Sequence, residues 1–149
     1  MSNTKNFFSN QTSAPHSLQI TDEAEACAAV LLACRQADEI NGKGGNAAFL
    51  STLKSRNIFI GYDPSLLIER ASQYFEQAGS SAALIDAAIN AIREQTRLPL
   101  FYHCLDVILA DGVVTPQENK VFQYLSSKFK VEEEVAFKAL EVLVVKNQL

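Results

Sequence analysis

From Thr21 onward the apolar residues of this chain recur every three or four positions, and no stretch alternates with the period of two that a half-buried strand requires. The fold class predicted is therefore all-α. Ala24, Cys27, Ala28, Leu31 and Cys34 form one stripe, entered through Thr21 as N-cap, with Asp22, Glu23 and Glu25 suited to the positive end of the helix dipole. The NGKGG stretch at residues 41–45 predicts a turn, with a short helix over residues 46–55 behind it. Asp63-Pro64 marks the next start, a capping carboxylate followed by proline at the first helical position, and Leu67, Ala71, Tyr74, Phe75 and Ala78 follow at core spacing until Gly79. Ser80 or Ser81 caps a helix through Leu84, Ile85, Ala88, Ile89 and Ile92. Pro99 predicts a break near Arg97, before a new face of Leu100, Phe101, Cys104, Leu105, Ile108 and Leu109. Two more helices run through Val121, Phe122 and Leu125, and through Val135, Ala139, Leu140 and Leu143. The total is about seven short helices on short loops, a compact antiparallel bundle.

Ahead of this pattern, residues 1–19 are rich in Ser, Asn, Thr and Gln and read as an irregular arm whose anchors are Phe7 and Phe8. The helical domain spans residues 20–149. With 48% hydrophobic and 20% charged residues in a chain of 149, one core is expected without disulfide or metal staples. A net charge of −4 with scattered Lys and Arg excludes nucleic acid as the default partner, since phosphate binding needs clustered cations. Cys27, Cys34 and Cys104 are odd in number, sit in apolar helical contexts and show no Cys-x-x-Cys spacing. They read as reduced, buried thiols of a cytoplasmic protein. No secretion signal opens the chain, and the longest apolar run, residues 26–34, is too short to cross a bilayer, so a soluble protein without membrane insertion is expected.

The most informative segment is LADGVVTPQENKVFQYL, residues 109–125. Gly112 can take the left-handed conformation that ends a helix, and Thr115, Pro116 and Glu118 spell a capping box with proline at the first helical position. The Ala110-Asp111-Gly112 turn, with a glutamate seven residues after the aspartate, resembles the signature of the TerB-like tellurite-resistance family. The likeness extends from about Thr21 to Leu149. The resemblance implies two pseudo-related halves, each a helix, an Asp-Gly turn and a helix. An outline of the first copy is present in AVLLACRQADEINGKGGNAAFLSTL, with Ala37-Asp38 standing where Ala110-Asp111 stand later. It departs from the pattern: Glu39 replaces the glycine, and no glutamate occupies the place of Glu118.

Resemblance further implies a cytoplasmic stress-response protein acting as a binding or scaffold module, with protein partners that include membrane-linked ones. It also implies a metal role for the acidic turns. Asp38, Asp111 and Glu118 are the candidate ligands, for a hard divalent cation such as Ca²⁺ or Mg²⁺ if any cofactor is held at all. The competing reading gives Glu118 and Asp111 to the cap and the turn. An EF-hand is excluded, because Val113 and Val114 stand where oxygen ligands are needed. The alternative from another class is a small metal-dependent or acid-base enzyme using His103, Asp106 and Asp111, the first two being three apart on one helix. No nucleophile elbow or phosphate-cradling loop is visible, which favours a non-enzyme. A homo-oligomer is compatible with all of this.

Overall fold

The computed structural model describes residues 7–8, 18–37 and 42–149. Among them lie seven substantial helices and no strand: α1 (Glu23–Ala37), α2 (Gly42–Ser55), α3 (Pro64–Ala78), α4 (Ser81–Ala88), α5 (Glu94–Ile108), α6 (Pro116–Lys128) and α7 (Glu133–Lys146). Short 3₁₀ turns at Asn57–Phe59 and Ile89–Ala91 lie between them.

The architecture follows from α1. Its sequence, EAEACAAVLLACRQA, is small and apolar on every side, and eleven of its fifteen residues are buried. Such a helix cannot lie on a surface, and α2, α3, α4 and α5 all pack around it. Alanines at 24, 26, 28, 29 and 33 let those neighbours approach closely, while Leu31 and Leu32 supply bulk. Each fully buried leucine is worth about 1.5–3 kcal/mol relative to exposure.

The acidic start of α1 is a staple. Asp22, rather than Thr21, is the cap: its Oδ1 accepts from the Glu25 N–H at 2.9 Å, and its other oxygen accepts from the Tyr62 hydroxyl at 2.8 Å. Glu25 accepts from the Tyr74 hydroxyl at 2.6 Å and Glu23 from the Arg93 backbone N–H at 3.0 Å. Burial works against the Glu23 carboxylate, but bonds from Arg93 and Thr96 and the Arg93 charge outweigh it and hold its pKa below the ordinary value.

That last contact corrects the expected break near Arg97. The chain is extended at Ile92 and Arg93, and α5 begins at Glu94 with Pro99 inside it. Glu23 fixes Arg93 at the helix entrance. Arg97 reaches back to the carbonyls of Ile92 and Ile89, both at 3.2 Å, tying the 3₁₀ turn to α5. Pro99 forfeits one hydrogen bond to the Gln95 carbonyl and ends nothing.

A second difference concerns NGKGG. The helix α2 starts at Gly42, so Gly44 and Gly45 lie within it rather than in a turn. A Cβ on Gly44 would sit 3.0 Å from the Cβ of Ala110. Glycine at 44 therefore serves close approach of α2 to the turn after α5, not a left-handed conformation. Elsewhere the expected punctuation holds. Asp63 caps α3 by accepting from the Ser65 N–H at 2.9 Å, Gly79 ends it at φ 88°, and Ser80 caps α4 through the Ala83 N–H at 3.1 Å. Phe7 is fully buried, and its ring and that of Phe8 meet Tyr124 of α6 edge-on at 5.4 Å.

Candidate functional site

The turn between α5 and α6 is built by three interlocking devices. Gly112 has φ 77°, donates its N–H to the Leu109 carbonyl at 2.9 Å, and lies so close to the end of α7 that a Cβ would come within 2.7 Å of the Asn147 carbonyl oxygen. Only glycine meets both demands. Behind it, Thr115 and Glu118 form the complete capping box: Thr115 Oγ1 accepts from the Glu118 N–H at 3.1 Å, and Glu118 Oε1 accepts from the Thr115 N–H at 3.0 Å. Pro116 occupies the first helical position, and Glu118 is buried.

The third device comes from α7. Asn147 Nδ2 donates to Asp106 Oδ1 and to the Leu109 carbonyl, both at 3.1 Å, and Lys146 Nζ reaches the same Asp106 oxygen at 2.8 Å. Gln148 Nε2 approaches the Gly112 carbonyl at 3.4 Å. The end of α7 is thus pinned to the Asp-Gly turn by side chains that recognise backbone carbonyls and one carboxylate.

These contacts place each candidate residue. Gly112, Thr115 and Pro116 do the turn and cap work. Glu118 is committed to the Thr115 amide. Asp111 is exposed, with Oδ1 at 3.4 Å from the Val113 amide, the outer edge of hydrogen-bond range. Asp38 lies outside the described residues. Among the described residues no three His, Cys, Asp or Glu side chains gather to hold a metal ion. His103 is half-buried and lines a cavity of about 170 Å³ between α1, α2 and α5. Burial lowers its pKa, the Arg56 and Lys146 charges add to this, and Asp106 opposes. Asp106 itself is engaged by Lys146 and Asn147, and Asp111 is not part of the cavity wall.

The three cysteines are unpaired and buried. Burial, reinforced by Glu23 and Asp22, pushes the Cys27 thiol up to about 12; burial and the adjacent Cys34 raise that of Cys104. The raised pKa keeps Cys27 and Cys104 in the thiol form at neutral pH.

One surface was not legible as a site. In α7 only Ala136 is buried, whereas Phe137, Val142 and Val145 are 50%, 64% and 65% exposed. Val135, Ala139, Leu140 and Leu143, the stripe expected to face the core, are half-buried. Two apolar grooves flank the helix. One is lined by Phe137, Leu140, Val144 and Val145 together with Glu134, Lys138 and Glu141, and the other by Tyr102, Val135, Ala139, Val142 and Leu143, again with Lys138. Val113 and Val114 of the turn are also exposed. The available signal was the segment VAFKALEVLVV, apolar around the whole helix and more than one face can bury.

Fold and turn together define an all-helical domain organised around an Asp-Gly helix-turn-helix. The family model described as "Tellurite resistance protein TerB" matches residues 24–141, and the chain belongs to that family. No curated protein and no solved structure matches the chain. No helix among the described residues is long and apolar enough to cross a membrane.

Proposed function

We propose that this tellurite-resistance family member is a non-enzymatic binding module and that α7 is its docking face. The observation that carries this is the exposure of Phe137, Val142 and Val145 on a helix that buries Ala136 alone. Several large apolar side chains left uncovered on one helix, with a groove on either side, mark a place where another molecule sits. The occupant is a partner protein's amphipathic helix with a basic flank. Its apolar stripe fits the groove beside Phe137 and Val145, and its Lys or Arg meets Glu141, which has no ion pair among the described residues. Lys138 is already turned to Glu134 at 3.4 Å, so the groove keeps net negative charge.

The pinned turn is the scaffold for this face: it fixes one end of α7 while the outward residues stay open. The buried thiols support a reducing, cytoplasmic setting for a stress-response role. A divalent cation at the turn has no specific observation in its favour among the described residues, because Glu118 is held in its capping box.

The test is photo-crosslinking in the native cell from position 145, which lines that groove, with position 73 on α3 as control. The crosslinked partner segment is then made as a peptide. The proposal expects a basic amphipathic helix whose binding Val142→Ser/Val145→Ser weakens at least about tenfold. Equal crosslinking from both positions, a second copy of this chain as the occupant, or peptide binding indifferent to the double substitution would overturn it.

A further inference from the structure

Phe7 and Phe8 belong neither to the turn nor to α7. Within residues 1–17, MSNTKNFFSNQTSAPHS, they are the only aromatic residues, and apart from Met1, Ala14 and Pro15 every other position is polar. The apolar grip of this stretch is thus concentrated in two adjacent side chains, the pattern of a short linear anchor rather than of a helix that repeats an apolar face. Phe7 is nonetheless fully buried. The two rings lie 4.6 Å apart, and both meet the Tyr124 ring edge-on. Contacts of this kind select for aromatic partners, because the positive edge of one ring meets the negative face of another.

The receiving side is built without the anchor. The Tyr124 hydroxyl donates to Asp86 Oδ1 of α4 at 2.5 Å, with the Ala82 carbonyl 3.1 Å away. Lys128, one turn further along α6, reaches the same Asp86 oxygen at 3.2 Å and stands 5.6 Å from the centroid of the Tyr124 ring. All three partners come from α4 and α6, so the ring keeps its orientation whether or not Phe7 and Phe8 are seated against it. A preset ring and an anchor joined to the domain through residues 9–17 have the relation of a receptor to its ligand. Nine residues span at most about 30 Å, and a tether of that reach presents the anchor at an effective concentration on the order of 1 mM.

We propose that the surface of α4 and α6 around Tyr124 is a binding site for a peptide segment carrying two adjacent aromatic side chains, and that Phe7-Phe8 is its intramolecular competitor. A segment from another molecule enters by displacing the tethered pair, so the chain's own anchor sets the affinity that an incoming ligand must exceed. This site is independent of the docking face on α7, and either can fail without the other.

The experiment is a titration of the full chain carrying Phe7→Ala/Phe8→Ala, which leaves the site unoccupied, with a labelled peptide of residues 5–11, KNFFSNQ. The expected result is saturable binding, with ¹⁵N amide shifts at residues 82–86 and 121–128. The wild type should bind the same peptide at least about tenfold more weakly, a difference of ~1.4 kcal/mol. A peptide with both phenylalanines replaced by alanine should not bind, and Val142→Ser/Val145→Ser added to the double variant should change nothing. No binding by the folded double variant, equal binding by variant and wild type, or shifts confined to α7 would overturn the proposal. If the double variant does not fold, the wild type decides: with fluorinated phenylalanine incorporated, the Phe7 and Phe8 resonances should move to their solvent-exposed positions as unlabelled peptide is raised to about tenfold above the tether's effective concentration. Resonances that stay in place would make the pair a permanent part of the core and overturn the proposal.

Discussion

Helices α1 and α7 are both rich in apolar residues and nearly equal in length, yet one is the centre of the molecule and the other lies on its surface. Side-chain size separates them. The alanines and cysteines of α1 let four helices pack against all its sides, and its acidic first turn is consumed by Tyr62, Tyr74 and Arg93. In α7 the apolar residues are mostly Val, Leu and Phe, a groove lies on either side of the helix, and Glu133 and Glu134 at its start are exposed. Apolar character alone therefore does not say which helix is core. An apolar helix that the fold surrounds contributes stability; one that the fold leaves half uncovered is available for a partner.

Substitutions should separate the two helices in a graded way. Leu32→Ala in α1 is expected to have the largest effect, about 2–5 kcal/mol of unfolding free energy by urea denaturation, because the surrounding helices cannot close the hole. A loss under 1 kcal/mol would deny α1 its central role. Gly112→Ala should cost roughly 1–3 kcal/mol, since it imposes a left-handed conformation on a residue with a Cβ and drives that carbon into Asn147. The same variant should speed hydrogen exchange at the end of α7, and unchanged exchange there would mean that the turn does not pin the helix. Thr115→Ala should cost about 1 kcal/mol through the lost cap.

The smallest effect concerns pH. His103 has a depressed folded pKa, so the stability it contributes as a neutral group is present above its unfolded value near 6.5 and is lost as pH falls through the folded pKa. His103→Gln should flatten the acid side of the stability profile below pH 6.5, as followed by thermal melts. A profile that coincides with the wild type would place the titration elsewhere.

The sequence carried local signals faithfully where one or two residues decide the geometry. The Asp63-Pro64 start, the Gly79 stop, the Ser80 cap and the Thr115–Glu118 box all act as their types and spacing demand. Where a distant residue decides, local reading misled. Pro99 suggested a break at Arg97, but the Glu23 contact to Arg93, seventy positions apart, sets the start of α5. NGKGG suggested a turn, but helix-to-turn packing against Ala110 uses its glycine. The site was legible as a turn motif and not as a surface. That Asn147 and Lys146 hold Asp106 is a contact across forty positions, and no periodicity announces which valines of α7 face outward.

The central claim is that the outer face of α7 is surplus to the fold. Its most direct test is urea denaturation of Val142→Ser/Val145→Ser beside the wild type. The two unfolding free energies are expected to lie within about 1 kcal/mol of each other, as for exposed positions away from the core. A loss of about 2 kcal/mol or more would show that these valines hold the domain together, and α7 would then be core rather than a docking face.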